Sequence, residues 1–259
     1  MITSTDNKRI KNVISLLEKS KARKEQDAFV IEGIKLFEEA PEDAILEVFV
    51  AESFSLKSKK LDRMPVEVVK DDVFKKMTDT LTPQGILCVV KKSSYKLEDM
   101  IKSKKHPLFI VLEKLQDPGN LGTIMRTAEG AGATGVIMSN DTVDIYNPKT
   151  VRSTMGSIFR VPFVYTDDLK KAIGTLKESG VTCYAAHLKG TKDCYSYDYK
   201  KPTAFFIGNE GNGLSDEISD LADTYIKIPM GGKLESLNAA VSAAVLMYEA
   251  GRQRGFSDT

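Results

Sequence analysis

The sequence predicts an α/β fold in two parts, a small α/β domain followed by a larger one with a mostly parallel sheet. Strand-like and helix-like segments alternate along most of the chain, and 108–115 is a near-continuous apolar run. Such a run is typical of a strand that is buried on both faces of a parallel sheet. A polar stretch with few β-branched residues, 92–107, separates the two parts. We therefore expect domains at 1–95 and 107–259, with a linker at 96–106.

The first domain is predicted to be a compact α/β unit. Thr5 and Asp6 are suitable N-caps for its first helix, and Pro41 ends the helix that follows Gly33. Short segments with alternating or continuous apolar residues predict the strands. The predicted helices are 7–22, 34–40 and 71–77, and the predicted strands are 28–33, 44–53, 66–70 and 85–92.

In the second domain strands and helices alternate, which predicts a parallel sheet. Gly180 is suited to end the helix before it, because glycine readily adopts the left-handed conformation of a helix C-terminus. The predicted strands are 108–115, 134–140, 162–166, 181–188, 203–210 and 224–230, and the predicted helices are 120–132, 147–159, 167–180 and 237–253.

Composition excludes several classes of protein. With 37 basic and 36 acidic side chains, the formal net charge is only +1, so the whole-chain charge indicates no particular partner. No apolar run approaches the ~18–20 residues of a membrane helix, and the N-terminal residues lack the apolar core of a secretory signal. Three widely spaced cysteines without CxxC spacing, and two histidines, indicate neither a metal site nor a disulfide framework. We therefore expect a cytoplasmic protein without metal or membrane partner.

One local feature departs from this even charge balance. Residues 8–24 hold seven basic side chains and a single acid, Glu18. Such a stretch can bind phosphates through its charge, and it can equally be a solvated helix face. The candidate phosphate-binding residues are Lys8, Arg9, Lys11, Lys21, Arg23 and Lys24.

The sequence GAGATG at 130–135 matches the dinucleotide fingerprint GxGxxG but not its context. That fingerprint follows a strand and opens a helix, so that the pyrophosphate meets the helix N-terminus. Here the glycines follow a predicted helix and precede a predicted strand. We therefore interpret them as a helix C-cap and a tight turn.

The first of three segments with site chemistry follows the buried strand at 108–115. Asp117 and the Pro-Gly pair after it predict a turn, and Asn120 lies at or beside the N-cap of the next helix. Arg126 follows six positions later. Polar groups at the carboxyl ends of parallel strands lie where such sheets bind ligands, although capping and a surface cation would explain both residues too.

The second segment follows the predicted strand 203–210. Gly208, Gly211 and Gly213 allow close approach of the backbone to a ligand, and Glu210 lies among them. A plain glycine-rich turn is the alternative interpretation.

The third segment leads into the last helix. Ser236 is predicted to be its N-cap, and Asn238 opens the helix. A helix start offers free N–H groups and a positive dipole end, although capping alone would also explain these residues. Four alanines give the helix a slim face for close packing: Ala239, Ala240, Ala243 and Ala244.

The three segments together resemble the signature motifs of the SpoU (TrmH-type) RNA 2′-O-ribose methyltransferases of the SPOUT superfamily. The matching patterns are N-x-G-x-x-x-R from Asn120 to Arg126, G-x-E-G-x-G at 208–213, and I-P-M…S-L-N at 228–238. Order and spacing agree over 108–254. The basic N-terminal part resembles the family's substrate-binding domain, which looks like a small ribosomal RNA-binding protein.

This resemblance implies a deep trefoil knot in the catalytic domain, S-adenosylmethionine as cofactor and a homodimer with the last helix at its interface. It implies methyl transfer to a ribose 2′-hydroxyl, with Arg126 as the candidate that activates this hydroxyl. Because arginine is an awkward base, our own hypothesis is that Arg126 and a substrate phosphate share proton removal and orientation. The implied catalytic residues are Asn120, Arg126, Glu210, Ser236 and Asn238, and the implied cofactor-binding residues are Gly208, Ile228, Met230 and Leu237.

The leading hypothesis is therefore methylation of large-subunit ribosomal RNA, with the basic residues of 8–24 binding RNA. Transfer RNA is the alternative substrate. A catalytically silent, dimeric RNA-binding protein is a second hypothesis, against which the intact motif residues argue. A nucleotide-dependent oxidoreductase using 130–135 is a third, against which the position of that sequence argues.

Overall fold

The computed structural model describes residues 1–256. The chain divides into two compact units. The first consists of Met1–Ser93 together with Asp144–Phe159, and the second of Ser94–Val143 together with the described residues from Arg160 onward. The first unit is thus completed by a short segment from the middle of the chain.

The first unit is built on a four-stranded sheet of order β1-β4-β2-β3. β4 is antiparallel to both β1 and β2, and β3 is parallel to β2. Its helices are α1 (Lys8–Glu18), α2 (Ser20–Glu25), α3 (Ile34–Glu39), α4 (Asp71–Lys76) and, from the later segment, α7 (Pro148–Thr154). Its strands are β1 (Ala28–Glu32), β2 (Ile45–Ala51), β3 (Val66–Val69) and β4 (Ile86–Lys91).

The helix predicted at 7–22 is two helices, with a break at Lys19. Ile10, Val13 and Leu16 lie on one face of α1 and are buried in the core of the unit. Lys19 has extended backbone angles, φ −116° and ψ 113°, which end α1 and start α2. The break brings Ala22 and Arg23 of α2 into buried positions.

The second unit has a seven-stranded sheet in which every recorded pairing is parallel, as the sequence predicts. The strand order is β7-β6-β5-β10-β8-β11-β9. Its strands are β5 (Leu108–Leu112), β6 (Gly135–Ser139), β7 (Phe163–Thr166), β8 (Thr182–Ala186), β9 (Lys192–Asp193), β10 (Thr203–Ile207) and β11 (Thr224–Lys227). Its helices are α5 (Leu97–Lys102), α6 (Pro118–Gly130), α8 (Leu169–Glu178), α9 (Asp216–Ser219) and α10 (Ala239–Arg254).

The order of the sheet changes direction between β5 and β10. From β5 the chain adds β6 and then β7 toward one edge, whereas β10 and the strands beyond it lie on the other side. In open α/β sheets, the carboxyl ends of the strands at such a switch point form a crevice that binds ligands. The loops that follow Leu112 and Ile207 are therefore the expected place for a ligand site.

The helix predicted at 147–159 is shorter than expected. α7 ends at Thr154, because Met155 after it has a left-handed φ of +53° and Gly156 follows with φ +100°. A 3-10 turn at Ser157–Phe159 completes the segment. Two successive residues with positive φ cannot continue a right-handed helix, which explains the break.

Gly132 has φ +69° between the end of α6 and the start of β6, so the glycines of 130–135 form a helix end and a turn, as predicted. Cys88, Cys183 and Cys194 are free and buried, and burial raises the pKa of both Cys88 and Cys183 to about 12. Within residues 1–256, no helix is both long and apolar enough to cross a membrane, and no cluster of metal-ligating side chains occurs.

Candidate active site

The three sequence segments meet at the switch point of the parallel sheet. The side chain of Asn120 donates from Nδ2 to Oε1 of Glu210 at 3.0 Å. Its Oδ1 accepts a hydrogen bond from Nδ2 of Asn238, also at 3.0 Å. One residue from each segment thus contributes to a single hydrogen-bonded chain.

Glu210 also binds the loop that follows β5. Its carboxylate accepts hydrogen bonds from the backbone N–H of Gln116 at 3.0 Å and of Asp117 at 2.9 Å. Partial burial acts to raise the pKa of Glu210, but the hydrogen bonds from Asn120 and the two backbone amides outweigh it and lower that pKa. Glu210 is therefore an ionised acceptor that ties the glycine-rich loop to the start of α6.

The structure corrects the predicted caps of the two helices at this site; away from it, Asn7 and not Thr5 or Asp6 caps α1. Asp117, not Asn120, caps α6, because its Oδ1 accepts from the backbone N–H of Asn120 at 2.8 Å. Asn238, not Ser236, caps α10, because its Oδ1 accepts from the N–H groups of Ala240 and Val241. Each correction at the site leaves a polar side chain for another role: Asn120 joins the hydrogen-bonded chain, and Ser236 lines a pocket.

The loop at 208–213 is a tight turn closed by backbone pairing. Asn209 and Gly213 exchange two backbone hydrogen bonds, of 3.0 and 2.9 Å, and Gly213 has φ +69°. Oδ1 of Asn209 accepts from the N–H groups of Gly211 and Asn212. A Cβ on Gly208 would overlap the backbone of Gly213 and Leu214, so glycine is required at position 208.

A pocket of about 410 Å³ lies beside this chain of hydrogen bonds. Its walls come from the loops that follow β8, β10 and β11 and from the first turns of α10. Among its lining residues are all four predicted cofactor-binding positions and two of the predicted catalytic ones: Gly208, Ile228, Met230, Leu237, Glu210 and Ser236.

Arg126 stands apart from this group. It lies on α6 with an exposed side chain, and it is not among the residues that line the pocket. Within residues 1–256 its guanidinium forms no hydrogen bond and no ion pair. Its charge is therefore available to a substrate.

The basic stretch of the first unit contains residues of two kinds. Lys8, Lys11, Lys21 and Lys24 are exposed, and two of them form surface ion pairs, Lys11 with Asp6 and Lys21 with Glu25. Arg9 is half-buried between Glu47 and Glu67, so its charge is largely neutralised within the unit.

Arg23 contradicts the expectation of a phosphate-binding side chain. It is 3% exposed, and its guanidinium binds the carboxylate of Asp144 and the carbonyl oxygens of Leu16 and Leu17. Because these partners use its donors, Arg23 stabilises the fold and does not face a ligand.

Two further residues near the site carry no signal in the sequence motifs. Glu113, 5% exposed at the end of β5, accepts hydrogen bonds from the backbone N–H and the hydroxyl of Ser215, both at 2.8 Å. His187 lines the pocket after β8. In the sequence, Glu113 is noticeable only as an acid that follows an apolar run. Its role could not be predicted, because its partner Ser215 lies 102 residues away.

Comparison with known proteins agrees with this geometry. The family model described as "SpoU rRNA Methylase family" matches residues 107–248, which include the whole hydrogen-bonded chain from Asn120 to Asn238. The chain belongs to the SpoU rRNA methylase family. A second model, "MRM3-like substrate binding domain", matches residues 7–88.

Individual SpoU relatives match over nearly the full chain. The 23S rRNA (guanosine(2553)-2′-O)-methyltransferase RlmP of Bacillus subtilis is 33% identical over 249 residues, 95% of this chain and 97% of that protein. The crystal structure of AviRb from Streptomyces viridochromogenes with AdoMet has a TM-score of 0.86 and 28% identity, covering 98% of this chain and 100% of that chain. The AdoMet-bound rRNA methyltransferase from Sinorhizobium meliloti has a TM-score of 0.85 and 31% identity, covering 97% of each chain.

Proposed function

We propose that this protein is an S-adenosylmethionine-dependent RNA methyltransferase that methylates a ribose 2′-hydroxyl of large-subunit ribosomal RNA. The observation that carries the proposal is the chain Glu210–Asn120–Asn238, which joins the three SpoU motifs beside a pocket. The substrate class follows from RlmP, whose name specifies 23S rRNA and which matches both units of this chain.

The pocket fits a cofactor of this kind. Its volume of about 410 Å³ lies within the range of roughly 300–1,000 Å³ that small-molecule and cofactor sites occupy. Gly208, where a Cβ cannot be accommodated, lets the backbone of the 208–213 loop form a close wall. Gly208, Ile228, Met230 and Leu237 hold the cofactor, mainly through backbone N–H and C=O groups.

S-adenosylmethionine, when bound, supplies a methyl group activated by its sulfonium centre. The protein must position the ribose and assist the loss of the 2′-hydroxyl proton, because a neutral hydroxyl is a poor nucleophile. Arg126 orients the hydroxyl and a neighbouring substrate phosphate through its guanidinium, which carries hydrogen-bond donors and no acceptor. The proton therefore leaves by way of the phosphate that Arg126 binds.

The remaining motif residues position these groups. Glu210 fixes the glycine-rich loop against the start of α6, and Asn238 fixes Asn120 against α10. Ser236 lies on the pocket wall, where its hydroxyl orients the ribose. These roles require the three side chains of the hydrogen-bonded chain to act as one unit.

The first unit delivers the RNA. We propose that residues 1–95 form the substrate-binding domain, joined through 96–106 to a methyltransferase domain at 107–259. The exposed lysines Lys8, Lys11, Lys21 and Lys24 bind phosphates, with a smaller contribution from Arg9. The protein works as a cytoplasmic homodimer with α10 at its interface, and its catalytic domain contains a deep trefoil knot.

The test is transfer of labelled methyl from S-adenosylmethionine to unmodified large-subunit ribosomal RNA and, separately, to unmodified transfer RNA. Label on ribosomal RNA at a ribose 2′-oxygen is the expected result. Label on transfer RNA alone would mean that the substrate is transfer RNA and not ribosomal RNA. A protein that binds both RNAs but transfers no methyl group to either of them, and none to ribosomal particles, would be a catalytically silent RNA-binding protein.

Arg126→Ala is the matched variant for this assay. Turnover should fall by several orders of magnitude while the affinity for S-adenosylmethionine stays unchanged, since Arg126 is not among the residues that line the pocket. Near-normal turnover in this variant would refute the role of Arg126 and leave the activity itself intact.

A further inference from the structure

His187 is held in one tautomer on the wall of the pocket. Its Nδ1 accepts a hydrogen bond from the backbone N–H of Lys189 at 3.0 Å. An imidazole nitrogen that accepts a hydrogen bond carries no proton, so the proton of the neutral ring lies on Nε2. Among the residues that the structure describes nothing accepts from Nε2–H, so this donor is left for another partner.

The position of the ring is fixed as well as its tautomer. His187 stacks on Tyr225, with ring centroids 5.0 Å apart and an interplanar angle of 27°. Its backbone N–H donates to the carbonyl oxygen of Ile226 at 3.0 Å. Its own carbonyl oxygen accepts from the backbone N–H of Gly190 at 3.0 Å. A donor held by stacking and by a closed turn loses little conformational entropy when a ligand binds.

The surroundings of His187 suit a flat heteroaromatic group. Part of the pocket lining is aliphatic, with Ala186, Ile207, Leu214 and Ile226 among the lining residues. Sites for nucleosides combine such apolar walls with a few fixed polar groups that bind the edge of the base. An imidazole N–H donor matches an acceptor such as a purine ring nitrogen or a ribose oxygen.

We infer that His187 is a cofactor-binding residue that donates its Nε2–H to an acceptor on the adenosine part of S-adenosylmethionine. This inference rests on the proposed function, since it assigns that cofactor to the pocket. His187 contributes to the affinity and the choice of ligand and takes no part in moving the proton of the substrate.

The test uses the fact that the chain has only two histidines, His106 and His187. His106 is exposed on the loop before β5 and does not line this pocket, so it serves as an internal control. In nitrogen-15 spectra of the histidine rings, free protein should show Nδ1 of His187 without a proton and Nε2 with one. Added S-adenosylmethionine or adenosine should shift the Nε2 resonance of His187, whereas methionine should not, and His106 should stay unchanged.

Binding measurements on variants provide the second readout. His187→Phe retains a ring to stack on Tyr225 and lacks the donor. By calorimetry, its dissociation constants for S-adenosylmethionine and S-adenosylhomocysteine should rise about 3- to 10-fold, the effect of removing one neutral hydrogen bond. His106→Phe should bind both as the unmodified protein does.

Three results would overturn the inference. They are unmoved His187 resonances in protein saturated with S-adenosylmethionine, a shift caused by methionine but not by adenosine, and an unchanged dissociation constant for folded His187→Phe. If His187→Phe does not fold, the spectra of the unmodified protein decide. If the unmodified protein binds no S-adenosylmethionine at all, the proposed function itself fails, which separates that outcome from the other three.

Discussion

The carboxamide of Asn120 is used from both ends: Nδ2 donates to Glu210, and Oδ1 accepts from Asn238, each at 3.0 Å. An amide can do this because it carries a donor and an acceptor on one rigid group, whereas an ionised carboxylate only accepts. Asn120 therefore sets the distance between the glycine-rich loop and the start of α10. This side chain joins residues of all three SpoU motifs.

Asn120→Asp should abolish most of the activity at little cost to stability. The substitution places a second carboxylate against Glu210, so the two loops move apart. A displacement of about 1 Å at a reacting centre can reduce turnover about 100-fold. We expect a loss of at least that size in methyl transfer, with a change in unfolding free energy of about 1 kcal/mol or less, because Glu210 is largely exposed and Asn120 is only half-buried.

Asn140→Asp is the matched control for this change. Asn140 also donates its Nδ2 to a carboxylate, that of Asp167, and neither residue lines the pocket. The same change of charge at this second pair should leave methyl transfer within about twofold, since a surface pair contributes little. Equal losses in both variants would show that Asn120 has no special place in the site.

The lowered pKa of Glu210 predicts a specific pH dependence of stability. A carboxyl whose pKa is lower in the folded state than in the unfolded state stabilises the fold above its unfolded pKa. That contribution is lost as the pH falls through the folded pKa. The difference in unfolding free energy between the unmodified protein and Glu210→Gln should therefore be largest near neutral pH and shrink below about pH 4.

Denaturant titrations at several pH values between 7 and 3 would measure this difference. A difference that stays constant over the whole range would mean that Glu210 has the same pKa in both states. That result would contradict the hydrogen bonds that Glu210 accepts from Gln116, Asp117 and Asn120.

Much of the fold could be predicted because its signals are local. The apolar run at Leu108–Leu112 is a central strand of a parallel sheet, and the glycines at 130–135 end a helix, as predicted. The three motifs identified the residues that meet at the switch point, although spacing alone could not show which side chains pair. The hydrogen bond between Asn120 and Asn238 joins residues 118 positions apart.

The expectations that were wrong depended on long-range contacts or on a choice between adjacent caps. Arg23 looked like one more cation of a basic stretch, yet its carboxylate partner Asp144 lies 121 residues away. Ser236 and Asn238 are both good N-cap residues, and only the path of the chain decides that α10 begins after Asn238. Sequence patterns describe neither distant partners nor the exact entry of a chain into a helix.

Gly208→Ala should impair both the cofactor site and the fold. The added Cβ would overlap the backbone of Gly213 and Leu214, so the 208–213 loop must open. Forced insertion of a methyl group into such a close contact costs about 1–3 kcal/mol. We expect that decrease in unfolding free energy and at least a tenfold weaker binding of S-adenosylmethionine by calorimetry.

Gly174→Ala, in the same unit, should have the opposite effect on stability to Gly208→Ala. Gly174 lies inside α8, and a Cβ there would meet nothing within 4 Å. Alanine in a helix interior is more stable than glycine by roughly 0.5–1 kcal/mol. This variant should be more stable than the unmodified protein and bind the cofactor equally well; weaker binding here would point to a general effect of altered stability.

Arg23→Ala and Lys24→Ala should separate a structural cation from an RNA-binding one, although the two are adjacent. Loss of the Arg23 guanidinium leaves Asp144 and the carbonyls of Leu16 and Leu17 without their partner in a largely buried position. Breaking a buried ion pair costs about 3–5 kcal/mol, so the first unit should melt well below its usual temperature. Lys24 is exposed, so its removal should change stability by less than about 0.5 kcal/mol.

For RNA binding we expect the opposite: Lys24→Ala should have the larger effect and Arg23→Ala the smaller one. Removing a cation that binds one phosphate lowers the slope of log affinity against log salt by about one. Lys24→Ala should therefore bind ribosomal RNA more weakly at low salt and with a shallower slope. At a temperature where Arg23→Ala is still folded, its slope should equal that of the unmodified protein. A shallower slope for Arg23→Ala, with no loss of stability, would show that Arg23 binds RNA and that its structural role is wrong.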